Sequence, residues 1–335
     1  MKLIIPMAGR GTRLRPHTLT TPKPLMPIAG KPIVQRLVED LVQVCTEKVE
    51  EIVFIIGDFG SEVEQKLLEI ASDLGAKGTI VQQTEKLGTA HAVLCAGDSL
   101  TGNVIVAFAD TLFRADFKLD TSHDGIVWVK QVANPEAFGV VKYDESNSIT
   151  DFVEKPEEFV SDLAIIGIYF FKDGENLREE LQYLIDNNIR IKGGEFGLTD
   201  ALENMKNKGK VLKTGTVKDW LDCGNKKSTV ETNATYLGYL DPNELKATSA
   251  SLKNSVVLEP SFIGENVHLE NCVIGPYASI GDGAQLSNSI VKNTIVQEQA
   301  VIDQSVVVDS IVGIKASVKS KGNNLSIGDF CHLEL

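Results

Sequence analysis

The sequence predicts an α/β protein in two parts. Residues 1–240 form a doubly wound, mostly parallel sheet, residues 241–250 a linker, and residues 251–335 a parallel β-helix. Three observations predict this. In the first part, short apolar runs alternate with amphipathic helical stretches, which means a parallel sheet with helices on both faces. In the second, aliphatic residues return every six positions, the beat of a parallel β-helix. Between the first apolar run and the first helical stretch lies a loop rich in glycine and arginine, at a strand end where such sheets hold ligands.

The elements follow in order. Residues 3–6 read as a short buried strand, and 32–44 (PIVQRLVEDLVQV) as a helix with proline in its first turn. Residues 51–56 (EIVFII) are strand. Residues 61–74 are helical, with Ser61 and Glu64 spaced as a capping box. Residues 79–82 and 104–108 are further strands. From about 125 the alternation loosens. Strand-like runs at 125–130, 139–143, 149–153 and 163–171 follow in quick succession, which predicts an inserted antiparallel lobe walling a cleft. Helices at 174–187 and 198–207 and a strand near 210–215 lead into WLDCG. In the tail, one aliphatic row is Ile274, Ile280, Leu286. A second is Ile290, Val296, Ile302, Val308, Ile314, and Ile-Gly pairs stand at 263–264, 274–275, 280–281 and 327–328. At three hexads per coil, the tail makes roughly four or five coils.

Lys and Arg total 33 against 46 Asp and Glu, a net charge of −13. That balance argues against nucleic acid as a partner. It leaves room for a small anionic ligand, because a few cations dominate one cleft. The five cysteines (Cys45, Cys95, Cys223, Cys272, Cys331) are scattered and read as reduced thiols. With no signal-like or membrane-length apolar run, the expectation is a soluble, cytoplasmic protein without a membrane partner.

The opening loop, GRGTRLRPHTLTTPKPL (9–25), lacks the third glycine of a dinucleotide fingerprint and the closing G-K-[ST] of a P-loop. A solvated turn explains it poorly, since Gly9, Gly11, Arg10, Arg13 and Arg15 crowd together and Pro22 and Pro24 flank Lys23. Gly9 and Gly11 let the backbone pass close to a ligand and aim N–H groups at it. Arg13 adds a planar fork suited to phosphate oxygens. The prolines narrow the backbone choices around Lys23.

The stretch AGRGTRLRPHTLTTPKPLMPIAGKP (8–32) resembles the signature of the sugar-1-phosphate nucleotidyltransferases. Their pattern is Gly-x-Gly-Thr-Arg, a spacer, Pro-Lys-x-Leu-x-Pro and Lys-Pro. The resemblance implies a doubly wound, Rossmann-like α/β catalytic domain. A hexapeptide-repeat tail, as a left-handed parallel β-helix, is also common in that family. It implies a nucleotide site of Ala8, Gly9, Gly11, Thr12, Arg13, Gln83, Gly88 and Thr89, with Gln83 reading a pyrimidine edge and the Gly88 backbone against the base. It implies Asp110 in FADTLF and Asp222 in WLDCG as the carboxylates for Mg2+. Gly139 in FGVV, with Glu154 and Lys155 in VEKP, would meet the sugar and its phosphate.

The reaction so implied is in-line attack of a sugar 1-phosphate on the α-phosphorus of a nucleoside triphosphate, giving an NDP-sugar and pyrophosphate. Arg13, Lys23, Asp110 and Asp222 would be catalytic, and no covalent nucleophile is evident. The run Ile5-Pro6-Met7-Ala8-Gly9 looks more like bacterial UDP-glucose pyrophosphorylases, and Pro-Lys-Pro-Leu-Met-Pro more like the thymidylyl- and mannose-transferring branches. Ile166 stands where members often carry a polar residue. The favoured substrates are dTTP or UTP with glucose-1-phosphate. The rivals are GTP with mannose-1-phosphate, a non-catalytic regulatory subunit, and a bifunctional enzyme with an acyltransferase tail. The tail holds only His268 and His332, so it reads as a packing or homo-oligomerisation element.

Overall fold

The computed structural model describes residues 1–9, 11–191 and 193–320; Arg10, the Ile-Gly pair at 327–328, Cys331 and His332 lie outside them. The chain groups into two compact units. One comprises Met1–Met26 and Lys31–Asn225, the other Pro27–Gly30 and the chain from Lys226.

In the first unit, β1 (Lys2–Pro6) leads into the glycine loop. The two-residue strands β2 (Pro27–Ile28, a segment grouped with the second unit) and β3 (Lys31–Pro32) follow, then α1 (Ile33–Val44) and β4 (Glu51–Ile56). Next come α2 (Ser61–Asp73), β5 (Lys77–Gln82), α3 (Thr89–Leu94), β6 (Val104–Ala107) and β7 (Thr111–Arg114). The runs that read as antiparallel are β8 (Gly125–Gln131), β9 (Gly139–Tyr143), β10 (Ile149–Glu154) and β11 (Leu163–Phe171). The unit closes with α4 (Gly174–Asp186), α5 (Leu198–Asn207), β12 (Leu212–Thr216) and β13 (Asp219–Asp222).

Strands β6, β1, β4 and β5 lie in that order and pair in parallel. Apart from Lys2 and Glu51, β1, β4 and β6 are apolar, and almost every residue in them is buried, as in a parallel sheet covered on both faces. The antiparallel strands do not make a separate lobe. β11 pairs directly with β6, and also with β8 and β9, so they extend the same sheet. The link is possible because β11 is long and changes register between Ile165 and Tyr169, where Gly167 takes φ +84°. Ser61 and Glu64 form no capping box. Gly60, at φ 82°, is the residue before α2, and no side chain caps it.

In the second unit, α6 (Lys226–Leu237) precedes the coils. The second unit includes α6, which is tied into it. Asn233 Oδ1 accepts both the Ala29 N–H at 2.9 Å and the Ser279 hydroxyl at 2.8 Å. Short strands stack into three parallel sheets, the coil of a parallel β-helix. The coil step is 17 residues at Ser251↔His268 and His268↔Gln285, then 16 at Gln285↔Val301 and Val301↔Ser317.

The shortened steps correct the second aliphatic row. Ile290, Val308 and Ile314 point outward, while Val291, Val296, Ile302 and Val312 are buried with Ile274, Ile280 and Leu286. A coil one or two residues short of 18 shifts the inward positions off a strict six-residue count. Corners are turned by left-handed residues such as Asn254, Asn271 and Asn288. Asn tolerates that conformation better than most side chains do.

Candidate active site

The glycine loop leaves the C-terminal end of β1, where the Met7 N–H continues the parallel ladder by donating to the Ile55 carbonyl at 2.8 Å. Gly11 sits at φ 61°, ψ 40°, just before the single turn Thr12–Leu14. Leu14 is buried and anchors that turn. The Thr18 hydroxyl donates to the Gly11 carbonyl at 2.7 Å, folding the spacer back on the loop. The chain returns at Pro22-Lys23-Pro24, where the N–H of Met26 closes a turn on the Lys23 carbonyl at 3.0 Å. Lys23 is 7% exposed, and its Nζ donates to Asp110 Oδ2 at 3.0 Å.

Asp110 lies in the tight connection between β6 and β7. The Phe108 N–H donates to the Gly167 carbonyl at 3.0 Å, and the Thr111 N–H to the Phe108 carbonyl at 3.3 Å. Asp222 ends β13, which pairs antiparallel with β7 so that Asp222 faces Thr111. The Cys223 N–H donates to the Asp110 carbonyl at 3.0 Å, and the Gly224 N–H to Asp222 Oδ1 at 2.9 Å. Backbone segments 112 positions apart in sequence thereby meet, with Asp222 opposite Thr111 and Cys223 bonded to the Asp110 carbonyl.

Among the described residues, no group of three or more His, Cys, Asp or Glu side chains is placed to hold a metal ion. A divalent cation at Asp110 and Asp222 would need further oxygen ligands. Mg2+ sites are commonly built from one or two carboxylates plus substrate phosphates and water, so this donor set fits one.

A cavity of about 530 Å³ opens over the loop. It brings together Ala8, Gly9, Gly11, Thr12, Arg13, Lys23, Gln83, Gly88, Thr89 and Asp110, with Gly224 at its edge. Arg13 is exposed into it. Arg15 is exposed too but does not line it. Asp222, Gly139, Glu154 and Lys155 also do not line this cavity.

Gln83 donates through Nε2 to the Gly88 carbonyl at 3.5 Å and meets His91 Nδ1 at 3.2 Å. Gly88 has φ +111°, and a Cβ there would lie 2.5 Å from the Phe196 carbonyl oxygen. The missing side chain is thus explained by the 195–200 segment passing behind it. The Thr89 hydroxyl accepts the Leu198 N–H at 3.0 Å, which pins that segment to α3.

The residues expected at the sugar form a second cluster on β9 and β10. Gly139 and Glu154 are register partners, and a Cβ on Gly139 would lie 2.9 Å from Glu154 Oε2. Lys155, at φ 44°, holds its Nζ 3.9 Å from Glu154 Oε1, and its N–H donates to the Phe138 carbonyl at 3.1 Å. Burial pushes the Glu154 carboxyl above the ordinary carboxylate range. The Lys155 charge opposes that shift and the Asp200 charge adds to it. Burial, and then the Glu154 charge, raise the Tyr169 phenol. Phe138 packs edge-on against Trp220, centroids 5.0 Å apart, joining this cluster to the strand that ends in Asp222.

The sequence reading missed Lys86 and Glu195 on the cavity wall, His91 against Gln83, and Asp200 beside Glu154. The one signal available was the glycine-punctuated run GEFGLTD at 194–200.

A glycine loop at the end of a parallel strand, a buried lysine paired with Asp110 and a cavity over both define an α/β protein with its candidate site where such sheets hold ligands. Comparison with known proteins takes this further. The family model for nucleotidyl transferase matches residues 2–238. Glucose-1-phosphate thymidylyltransferase of Streptomyces antibioticus is 28% identical, covering 100% of this chain and 99% of its own. The low-salt glycan biosynthesis nucleotidyltransferase of Haloferax volcanii is 30% identical over 100% of both chains. Bifunctional protein GlmU of Methanococcus maripaludis is 32% identical over 82% of this chain and 62% of its own.

Among solved structures, one from Bacillus anthracis described as a glucose-1-phosphate thymidylyltransferase superposes with a TM-score of 0.59 at 25% identity, covering 70% of this chain and 94% of that one. A UDP-glucose pyrophosphorylase bound to UDP-glucose shares the fold, with a TM-score of 0.57 at 24% identity, covering 71% of this chain and 99% of that one. The chain belongs to the nucleotidyl transferase family and is an enzyme of that family. Among the described residues, no helix is long and apolar enough to cross a membrane.

Proposed function

We propose that the protein joins a nucleoside triphosphate, dTTP or UTP, to a sugar 1-phosphate, with glucose-1-phosphate the first choice, releasing pyrophosphate. The observation that carries this is the Gly11–Lys23–Asp110 constellation. A left-handed glycine gives the stem of a buried lysine room, and its ammonium ends beside a carboxylate at a strand terminus. In this reading the amides of Gly11 and Thr12 and the Arg13 fork hold the β- and γ-phosphates. Lys23 neutralises the α-phosphate as attack proceeds. Gln83 meets the base, Glu154 binds sugar hydroxyls, and Lys155 binds the sugar phosphate. Asp110 and Asp222 would hold Mg2+, which supplies charge neutralisation at the phosphates. Catalysis of this kind rests on positioning and charge, so the chain needs no nucleophile of its own.

The proposal includes a homo-oligomer. Val256, Val273, Ile290 and Val306 stand in one register column of the β-helix and are 38–71% exposed. The column bears no charge in a chain of net charge −13. A second copy related by a two-fold axis would present the same column and remove both from water.

The test is a pyrophosphate-release screen of five triphosphates against a panel of sugar 1-phosphates with Mg2+. Release with dTTP or UTP and glucose-1-phosphate is the expected result. Release only with GTP and mannose-1-phosphate would move the assignment to that rival, and no release with any pair would leave the regulatory-subunit reading. An arm with acetyl-CoA and an aminosugar phosphate, followed by free thiol, tests acyl transfer by the tail.

A further inference from the structure

The Lys23 ammonium and Asp110 Oδ2 form an ion pair 3.0 Å apart. The lysine side chain is 9% exposed and the aspartate side chain 46%. The two groups are held differently. The Lys23 stem is trapped, since its Cβ lies 2.6 Å and its Cδ 3.4 Å from where a Gly11 Cβ would stand, and prolines flank it. Only the end of the side chain has freedom to swing. The Asp110 backbone is pinned from behind by the Cys223 N–H. The carboxylate therefore already has a counter-ion, supplied by the protein itself.

A divalent cation approaching Oδ2 meets the Lys23 ammonium within ordinary hydrogen-bond distance of that same oxygen. In a half-buried setting the repulsion is many times weaker than in vacuum but well above its value in bulk water. Asp222 does not line the cavity that Asp110 lines, so a cation entering there meets Asp110 first.

We propose that Lys23 is the resident counter-ion of Asp110 and keeps that carboxylate closed to divalent cations until a triphosphate arrives. Phosphate oxygens then draw the ammonium off, and the freed carboxylate takes the cation that travels with the triphosphate. The exchange reshuffles ionic contacts and makes or breaks no covalent bond. It rests on the reading that the cavity takes a triphosphate. It adds an order, with the cation entering together with nucleotide and not before it. It also gives Lys23 a role before the chemistry begins.

The test measures Mn2+ binding to the full, nucleotide-free chain, from the electron paramagnetic resonance signal of unbound Mn2+. The proteins are wild type, Lys23→Met, Asp110→Asn and the double variant, each checked for folding by circular dichroism. Methionine keeps the stem and removes the charge. The expected result is that Lys23→Met binds Mn2+ about tenfold or more tightly than wild type, and that Asp110→Asn in the same chain abolishes the gain. Equal affinity in wild type and Lys23→Met, no detectable binding in either, or a gain that survives loss of Asp110 would each overturn the inference. Triphosphate binding to wild type, measured separately without metal by calorimetry, tests the underlying reading. Nucleotide bound with no Lys23 effect on Mn2+ defeats the counter-ion role alone, while no nucleotide binding defeats the assignment of the cavity.

Discussion

Gly11 and Lys23 occupy one another's space: a Cβ built on Gly11 would lie 2.6 Å from the Lys23 Cβ and 3.3 Å from the Thr18 methyl. Gly11 also sits at φ +61°. Gly11→Ala therefore combines about 1–3 kcal/mol of backbone strain with displacement of the lysine. Turnover is expected to fall tenfold or more, beyond what the loss of melting temperature explains. Pyrophosphate release measured beside thermal melting checks this, and turnover within twofold of wild type would contradict it.

Lys23→Ala removes the charge proposed to neutralise the transferring phosphate, and Asp110→Ala removes a carboxylate proposed to hold the cation beside it. Preorganised groups of this type contribute about 3–4 kcal/mol to the transition state, so kcat should drop by about two to three orders of magnitude. Melting is measured beside turnover, because Asp110→Ala strips the partner from a lysine side chain only 9% exposed and should lower stability. Near-wild-type turnover in both would sink the proposed mechanism.

His91 Nδ1 lies 3.2 Å from Gln83 Nε2, and His91 does not itself line the cavity. His91→Ala frees the Gln83 amide to rotate, which costs roughly one hydrogen bond of orientation, about 0.5–1.5 kcal/mol. The KM for the triphosphate should rise several-fold while kcat holds. Steady-state kinetics separates the two, and a fall in kcat at constant KM would refute a positioning role.

Glu154 carries a raised pKa, with burial as the main cause. Its unfolded counterpart loses its proton first, so between the unfolded and folded pKa the folded chain binds more protons. Stability therefore falls as pH rises through that window, and the cost persists above it. Glu154→Gln should melt above wild type at pH 7, with the difference vanishing below the ordinary glutamate range. The same variant should bind sugar 1-phosphate more weakly. Melting curves across pH, with KM for the sugar, test both halves.

Ile290, 46% exposed in the centre of the outward aliphatic column, is the position at which to test self-association. Ile290→Lys places an unpaired cation in that column and should reduce the mass found by light scattering coupled to size exclusion. Melting should change little, because the inward Val291 is untouched. An unchanged oligomeric mass would rule the column out as the interface.

The alternation of β1, α1, β4 and α2 was legible because each segment carries its own period, and burial on both sheet faces leaves unbroken apolar runs. The coil repeat was legible as well. The second row found the inward Val296 and Ile302 but also took in the outward Ile290, Val308 and Ile314, because the coil step falls from 17 to 16 residues and the inward positions then stop recurring at a strict six. The capping box at Ser61 failed because Gly60 already turns the chain into α2. The strands β7 and β13 were hidden. Each is four residues long, and their pairing spans about a hundred residues, which no local pattern reports.

By itself, the sequence determined the chemistry available at the N-terminal loop: glycines with backbone freedom, an arginine fork and a lysine between prolines. These properties belong to the residues and their neighbours in the chain. The tertiary structure decided what that loop faces. Pairing of β13 with β7 brings Asp222 opposite Thr111, the 195–200 segment closes behind Gly88, and Asp110 becomes the partner of Lys23. Those relations depend on long-range sheet register, and strand pairing is set by the burial of whole faces and not by any single segment.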